Sequence, residues 1–309
     1  MRGLFAAIDI GTNSALLLIA ERGRDFLQPV SQKVAVPRVG RNLAVTGRIS
    51  GESFADLAAA LDSFLAEIAR LNARLVGAVA TQAFRIAANG PELLAEVSRQ
   101  LGIEARIIAG PEESRLGYLA VSDRHPPALS ADPARSGIAE TAVLDIGGGS
   151  TEATRKDGGV SMPIGAINLL EACGPDAAAC RARAAEAFRG KFSDWRGRTD
   201  LMAVGGTATA AAMLELKLAA FDSAAIEGLR IGRDRVTAAI DLLAGLSPEA
   251  KAALPGLEKN RADILMPGLC ILEAFLDTIG AEAFRVSDRG IRYGVIIDWL
   301  EKAEERNAS

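Results

Sequence analysis

Two acid-led glycine turns carry the residues best suited to chemistry. The first reads Asp9-Ile10-Gly11-Thr12-Asn13-Ser14. The second reads Asp145-Ile146-Gly147-Gly148-Gly149-Ser150-Thr151-Glu152. Each follows a short apolar run, and their leading aspartates stand 136 positions apart (145 minus 9). A third turn, Gly205-Gly206-Thr207, follows the apolar run of residues 201–204. Turns rich in glycine can aim several backbone N–H groups into one concavity with no side chain in the way, and such a nest holds anions. Thr12, Ser14, Ser150 and Thr207 add hydroxyl donors. An aspartate at the end of the leading strand would repel a bare phosphate. It makes sense if a hydrated Mg2+ stands between acid and phosphate, because that ion takes one or two carboxylates together with phosphate oxygens. The chemistry these residues suggest is phosphoryl transfer, in which a site mostly positions groups and neutralises charge. One such turn alone is an ordinary β-turn. Three, each after an apolar run and two of them copies, are read as phosphate loops lining a cleft from two halves of the chain.

Two halves suit the length. The 309 residues are long for one core and comfortable for two domains. Apolar residues make up 49% of the chain and charged residues 24%, the balance of an ordinary globular protein. The net charge of −4 gives no general attraction for nucleic acid, so an anionic ligand must be held by local groups. Cys173, Cys180 and Cys270 form no C-x-x-C pair and are odd in number, which points away from a disulfide framework or a zinc site and toward a reducing compartment. The single histidine, His125, sits beside a Pro-Pro pair and reads as a loop residue. Triad or phosphohistidine chemistry is thereby excluded. The apolar run that starts at Ile264 carries Pro267 and is too short to span a bilayer. No membrane association and a cytoplasmic location are expected.

The elements that must position the turns can be read from periodicity. "LFAAIDI" and "ALLLIAE" are strands of a hairpin joined by Gly11 to Ser14, with a third extended piece near residues 34–39. A helix is predicted from about Gly51 to Leu71, with Ser50 as N-cap and Phe54, Leu57, Leu61, Phe64, Ile68 and Leu71 as its apolar stripe. Residues 75–81 and 103–109 read as strands, and 91–102 and 111–121 as helices. The Pro-rich stretch 123–139 reads as an interdomain segment or a surface loop. The strand–turn–strand pattern then restarts at about residue 141. A mostly helical stretch is expected over 165–197, and a strand, turn and helix around Gly205 and Gly206. Further helices are expected over 232–244 and 258–278, then a strand with "AFRVSDRG" and a last helix over about 290–305.

Beyond these patterns, the chain resembles the exopolyphosphatase / guanosine pentaphosphate phosphohydrolase family. The resemblance rests on "AIDIGTNS" (7–14), "ATQAFRIAAN" (80–89), "IIAGPEESRLGY" (107–118), "VLDIGGGSTE" (143–152), "MPIGAINL" (162–169), "AVGGTAT" (203–209), "RADILMPG" (261–268) and "VSDRGIRYG" (286–294), in the family's order. It implies an α/β chain of two actin-like (ribonuclease H-like) domains with an active-site cleft between them. Residues 1–120 would form the first domain, completed by the C-terminal helix over about 292–309, and residues 121–291 the second. It further implies that Glu113 activates the attacking water and that Asp145 and Glu152 are acids of catalysis and of Mg2+ binding. Asn13, Arg85, Gly148, Ser150 and Thr207 match phosphate-contacting positions. Asp9, Gly11, Thr12, Ser14, Gly147, Gly149, Gly205, Gly206 and Arg261 complete the expected phosphate site. Without the resemblance, Glu112 and Glu113 read equally well as acids that favour a helix N-terminus, and Arg85 as a surface cation.

The expected activity is that of an exopolyphosphatase, releasing orthophosphate from inorganic polyphosphate, with hydrolysis of guanosine pentaphosphate as the alternative. An actin-like sugar or acid kinase would need an aspartate base in a sugar-binding signature, which the first half does not present. A filament-forming protein or a sensor of guanosine tetra- or pentaphosphate would not need Glu113, Asp145 and Glu152 together. The basic stretch 180–198, with Arg181, Arg183, Arg189, Lys191, Arg196 and Arg198, reads either as a solvated helix face or as a track for a polyanion. A homodimer is a family-level expectation. The chain departs from the family at Asn168, where arginine is common, and at Tyr293, where glutamate is common.

Overall fold

The computed structural model describes residues 3–23, 27–122, 140–197 and 199–308. The expected interdomain segment 123–139, and His125 with it, lies outside the described residues. Contacts divide the chain into two compact units: Met1–Pro126 with Arg289–Ser309, and Pro127–Asp288.

In the first unit, β1 (Leu4–Ile10), β2 (Ala15–Arg22), β3 (Leu27–Ala35), β4 (Arg74–Ala80) and β5 (Ala105–Ile107) form one sheet in the order β3-β2-β1-β4-β5. β1–β2 and β2–β3 are antiparallel, whereas β4 and β5 join in parallel. The helices are α1 (Leu43–Thr46), α2 (Gly51–Arg70), α3 (Gln82–Ile86), α4 (Gly90–Leu101) and α5 (Gly110–Ser122). The hairpin strands are apolar on both faces because both faces are covered. Ala6, Ile8 and Ile10 share a core with Leu57, Leu61, Phe64 and Ile68 of α2. On the opposite face Phe5 lies against Trp299, ring centroids 5.4 Å apart. The expected N-cap of α2 is present, with the Ser53 amide donating to Ser50 Oγ at 3.2 Å. Such a cap contributes about 1 kcal/mol.

The second unit repeats this plan. β6 (Glu140–Ile146), β7 (Thr151–Arg155) and β8 (Gly158–Met162) form an antiparallel meander, and β9 (Thr199–Val204) and β11 (Ala283–Val286) extend it in parallel. The short β10 (Arg230–Gly232) adds an antiparallel edge. Around it run α6 (Ala166–Cys173), α7 (Ala177–Phe188), α8 (Gly205–Leu216), α9 (Ser223–Ile226), α10 (Arg233–Ala244), α11 (Pro248–Ala252) and α12 (Leu265–Ile279). The last helix, α13 (Ile291–Ala308), packs in the first unit against α5 and β1. The core of the second unit is closed at one end by Phe188, Phe192, Trp195 and Phe275. Phe275 meets the other three at centroid distances of 5.3 to 6.0 Å, near edge-to-face.

The duplication extends to register. Asp9 pairs across the strand with Leu16, and Asp145 with Glu152, the same offset in both hairpins. A slip of one residue would turn every side chain of a hairpin to the other face, so burial on both sides fixes the register firmly.

Several boundaries differ from expectation. The third extended piece is β3 at Leu27–Ala35, not 34–39: the strand reaches back through residues of mixed polarity because it is an edge, exposed along one side. The strand expected over 103–109 shrinks to Ala105–Ile107, and a last bond follows it, from the Ile108 amide to the Ala80 carbonyl. The helical stretch 165–197 breaks into α6, α7 and a 3-10 turn at Ser193–Trp195, interrupted by Gly174-Pro175 and by Gly190 in the left-handed region. The helix expected over 258–278 begins only at Leu265, after a 3-10 turn at Lys259–Arg261. The short helix α3 was not anticipated.

Candidate active site

In the first unit the expected residues gather at the carboxyl ends of β1, β4 and β5, where ligands of open α/β sheets bind. Asp9 is the penultimate residue of β1 and is 8% exposed. The turn after it is closed by the Gly11 amide donating to the Ser14 carbonyl at 2.9 Å. Its outer carbonyls are taken up by the following loop: Gly40 N–H donates to Thr12 O (2.9 Å) and Arg38 N–H to Asn13 O (3.0 Å). Asn13 donates through Nδ2 to Ser14 Oγ at 3.1 Å, while its buried Oδ1 accepts no hydrogen bond among the described residues.

Arg85 and Glu113 meet in the same region. Arg85 is carried by α3, which is fastened to the sheet by Thr81 N–H donating to Ile10 O at 3.1 Å and by Arg85 N–H donating to Thr81 O at 3.2 Å. Its Nη1 donates to Glu113 Oε2 at 2.5 Å and to the Ile108 carbonyl at 2.8 Å. Glu113, in the first turn of α5, is 6% exposed. Burial pushes its carboxyl above the ordinary range, and the Arg85 guanidinium opposes that rise. The neighbouring Glu112 goes the other way: its hydrogen bond with Arg106 holds it below the ordinary range. Two adjacent acids are thus displaced in opposite directions, one by burial and one by its ion pair.

In the second unit Asp145 is the penultimate residue of β6, beside Glu152 on β7 and Val204 on β9. Directly paired residues of neighbouring strands project to the same face, so the two carboxylates share a face of the sheet. Glu152 is 4% exposed and accepts from Ser161 Oγ at 2.6 Å. The turn between them is closed by Gly147 N–H donating to Ser150 O at 2.9 Å, the same bond as in the first hairpin. Its carbonyls are received by α6: Ala166 N–H donates to Gly147 O (2.9 Å) and Ile167 N–H to Gly148 O (2.7 Å). Asn168 Nδ2 donates to Gly149 O at 2.6 Å, while Asn168 Oδ1 accepts from Gly165 N–H at 2.7 Å. Gly165 has no alternative. A Cβ there would lie 2.5 Å from the Gly148 carbonyl carbon and from the Gly149 nitrogen.

Gly205 and Gly206 open α8, whose preceding residue, Val204, supplies no side-chain cap. The first-turn N–H groups of an uncapped helix are available to an anion. A Cβ on Gly205 would come 2.4 Å from Asp145 Oδ1, and one on Gly206 would come 1.9 Å from Arg261 Nη1. The absence of side chains therefore admits the carboxylate and the guanidinium against the backbone. Burial lowers the pKa of Arg261, against the opposing charge of Glu258, whose Oε2 lies 3.2 Å from Nε. Thr207, on the first turn, is 6% exposed and packs on Gly268 of α12. Two groups of expected residues result, one in each unit.

A profile of the Ppx/GppA phosphatase family matches residues 18–303 of this chain. The chain belongs to the Ppx/GppA phosphatase family. Among Ppx/GppA relatives, exopolyphosphatase 2 of Mycobacterium tuberculosis is 28% identical over 318 aligned positions, which cover 94% of this chain and 97% of its own. Exopolyphosphatase 1 of Mycobacterium bovis is 26% identical, with 97% and 89% covered. The crystal structure of the Aquifex aeolicus Ppx/GppA family member superimposes with a TM-score of 0.77 at 26% identity, covering 98% of this chain and 99% of that one. The two α/β units are thus the paired actin-like domains of the Ppx/GppA fold. Among the described residues no helix is long and apolar enough to cross a membrane.

Sequence reasoning missed several contacts and one buried acid of this Ppx/GppA chain. The Ile108 carbonyl that shares Arg85 is a backbone group, which no motif displays. The bonds of Asn168 to Gly165 and Gly149 were invisible too, although the position stood out as a departure from the family. Glu227 was passed over in a segment without pattern. It is buried, accepts from Ser287 Oγ and from the Asp288 amide at 2.9 Å each, and its carboxyl is pushed up to about 7 by burial and by the charge of Asp288. The basic stretch 180–198 is partly neutralised: Arg181 pairs with Glu273 (2.7 Å) and Asp241 (2.9 Å), and Arg189 with Glu186 (2.6 Å). Arg198 lies outside the described residues.

Proposed function

We propose that the chain is an exopolyphosphatase that removes the terminal phosphate of inorganic polyphosphate as orthophosphate, with Mg2+ as its cofactor. The observation that carries the reading is Glu113, a buried carboxylate raised in proton affinity and aimed by Arg85. It stands in a unit whose neighbouring turn is built for phosphate. The names of the Mycobacterium relatives support the same substrate class. In the proposed reaction a water attacks the terminal phosphorus and the bridging P–O bond breaks. Glu113 accepts the proton that the water loses. The leaving group is the polyphosphate shortened by one unit. The Gly148, Gly149, Ser150, Gly206 and Thr207 amides, with Arg261, are assigned to the phosphate oxygens, where fixed donors stabilise developing charge.

Asp145 and Glu152 fit a divalent cation. Two carboxylates that share a sheet face would repel one another, and Mg2+ commonly takes one or two carboxylates beside phosphate oxygens. In this reading the protein's share of the site is these two acids; among the described residues no cluster of three or more histidine, cysteine or acidic side chains comes together. When bound, the ion would neutralise charge on the phosphate oxygens.

The test is a phosphate-release assay on long polyphosphate, tripolyphosphate, guanosine pentaphosphate and ATP, each with Mg2+. Release from polyphosphate that falls about 100-fold or more in Glu113→Gln is expected. Preferred release from guanosine pentaphosphate would move the assignment to that substrate, and release from none of the four would end it.

A further inference from the structure

The three carbonyls of the Gly147–Gly149 turn all point into the start of α6. Those of Gly147 and Gly148 are received by backbone amides, which any residue could supply. That of Gly149 is received by a side chain, Asn168 Nδ2 at 2.6 Å, with the Pro163 carbonyl at 3.4 Å as a weaker second acceptor. In a planar trans peptide unit the C=O and the following N–H point in opposite directions. Docking the carbonyls of Gly147, Gly148 and Gly149 on α6 therefore turns the N–H groups of Gly148, Gly149 and Ser150 away from α6, together, on one side of the turn. None of these three amides donates in a backbone bond of the described residues. Three successive N–H groups facing one way make an anion nest.

We propose that Asn168 is a positioning residue for phosphate: it sets the Ser150 amide, the last donor of the nest, by holding the Gly149 carbonyl behind it. This rests on the reading of the turn as a phosphate loop and gives that loop a sequence-specific fastener. The same side chain caps α6 through Oδ1, so it joins the turn to the helix by both ends of one amide. Glutamine would be too long for this pair of bonds, and aspartate would keep only the accepting half.

The experiment uses the full chain labelled with 15N, in buffer containing Mg2+, titrated with orthophosphate and followed at the Gly148, Gly149 and Ser150 amides. Wild type is expected to show saturable shifts at all three. In Asn168→Ala the dissociation constant should rise about tenfold, the loss of one well-made hydrogen bond to the loop. Asn168→Asp should weaken binding at least as much while keeping the melting temperature of the wild type, because the cap to Gly165 survives. In the polyphosphate assay both variants should raise KM more than they lower kcat. An unshifted Ser150 amide in wild type would overturn the proposal. So would Asn168→Ala and Asn168→Asp proteins that bind orthophosphate as wild type does, whatever their melting temperatures. Responsive amides in a protein that releases no phosphate from polyphosphate would leave this inference standing and sink the substrate assignment instead.

Discussion

The Arg85 guanidinium holds the Glu113 carboxylate at 2.5 Å and the Ile108 carbonyl at 2.8 Å through the same Nη1 atom. The cation thus lowers the proton affinity of an acid that burial raises. Removing it leaves the burial uncompensated, so the Glu113 pKa should climb. In Arg85→Ala the acid limb of the kcat/KM profile should move to higher pH. Arg85→Lys keeps the charge and should move it less. An acid limb that stays in place in Arg85→Ala would mean that Glu113 is not the titrating base.

Gly206 offers a test that leaves the core alone. A Cβ at this position must displace the end of the Arg261 side chain, which is flexible, and not the backbone. Gly206→Ala should therefore fold with little loss of melting temperature yet raise KM for polyphosphate about tenfold. Arg261→Ala should do the same. The double variant should be no worse than the poorer single, since both remove one interaction. Additive losses would show that the two residues act apart.

Chelation addresses the two acids on β6 and β7. With EDTA in excess, phosphate release should fall to background and return with added Mg2+. Asp145→Asn should need a higher Mg2+ concentration for half-maximal rate. Release that continues undiminished in EDTA would remove the cation from the reaction.

Glu227 makes stability depend on pH. Its carboxyl is pushed from 4.5 to about 7 in the folded protein, first by burial and then by Asp288. The folded state therefore holds a proton that the unfolded state releases between these values. The stabilisation is complete below about pH 4.5 and is lost as pH rises through about 7, by on the order of 3 kcal/mol at most. Glu227→Gln resembles the protonated acid. Its melting temperature should fall less than that of wild type between about pH 5 and about pH 7.5. Parallel curves for the two proteins would assign the pH dependence to other groups.

Much of the fold could be read from the sequence because burial writes itself there. The hairpin strands and α2 were legible through their apolar periodicity, and Ser50 through its capping chemistry. The edge strand β3 was misplaced because one of its sides meets solvent and its pattern is mixed. At the candidate site, the turns were legible because the same Asp-Ile-Gly-x-x-Ser pattern follows an apolar run twice. The contact of Arg261 with Gly206 was not, because it joins residues 55 positions apart (261 minus 206) and shows only as the lack of a side chain. The pairing of Arg85 with Glu113 had no local sign either. Each was named separately as a site residue, and their coupling is a product of α3, whose five residues carry no periodic signal.

The matched registers of the two hairpins set Leu16 where the other copy has Glu152. One hairpin frame thus carries two chemistries: both copies have the glycine turn and its leading aspartate, and only one has a second acid across from it. Equivalent places are then sensitive to unlike properties. Replacing Leu16 with methionine is a question of shape and packing, whereas replacing Glu152 with glutamine is a question of charge beside Asp145. The backbone is symmetric where the chemistry is not.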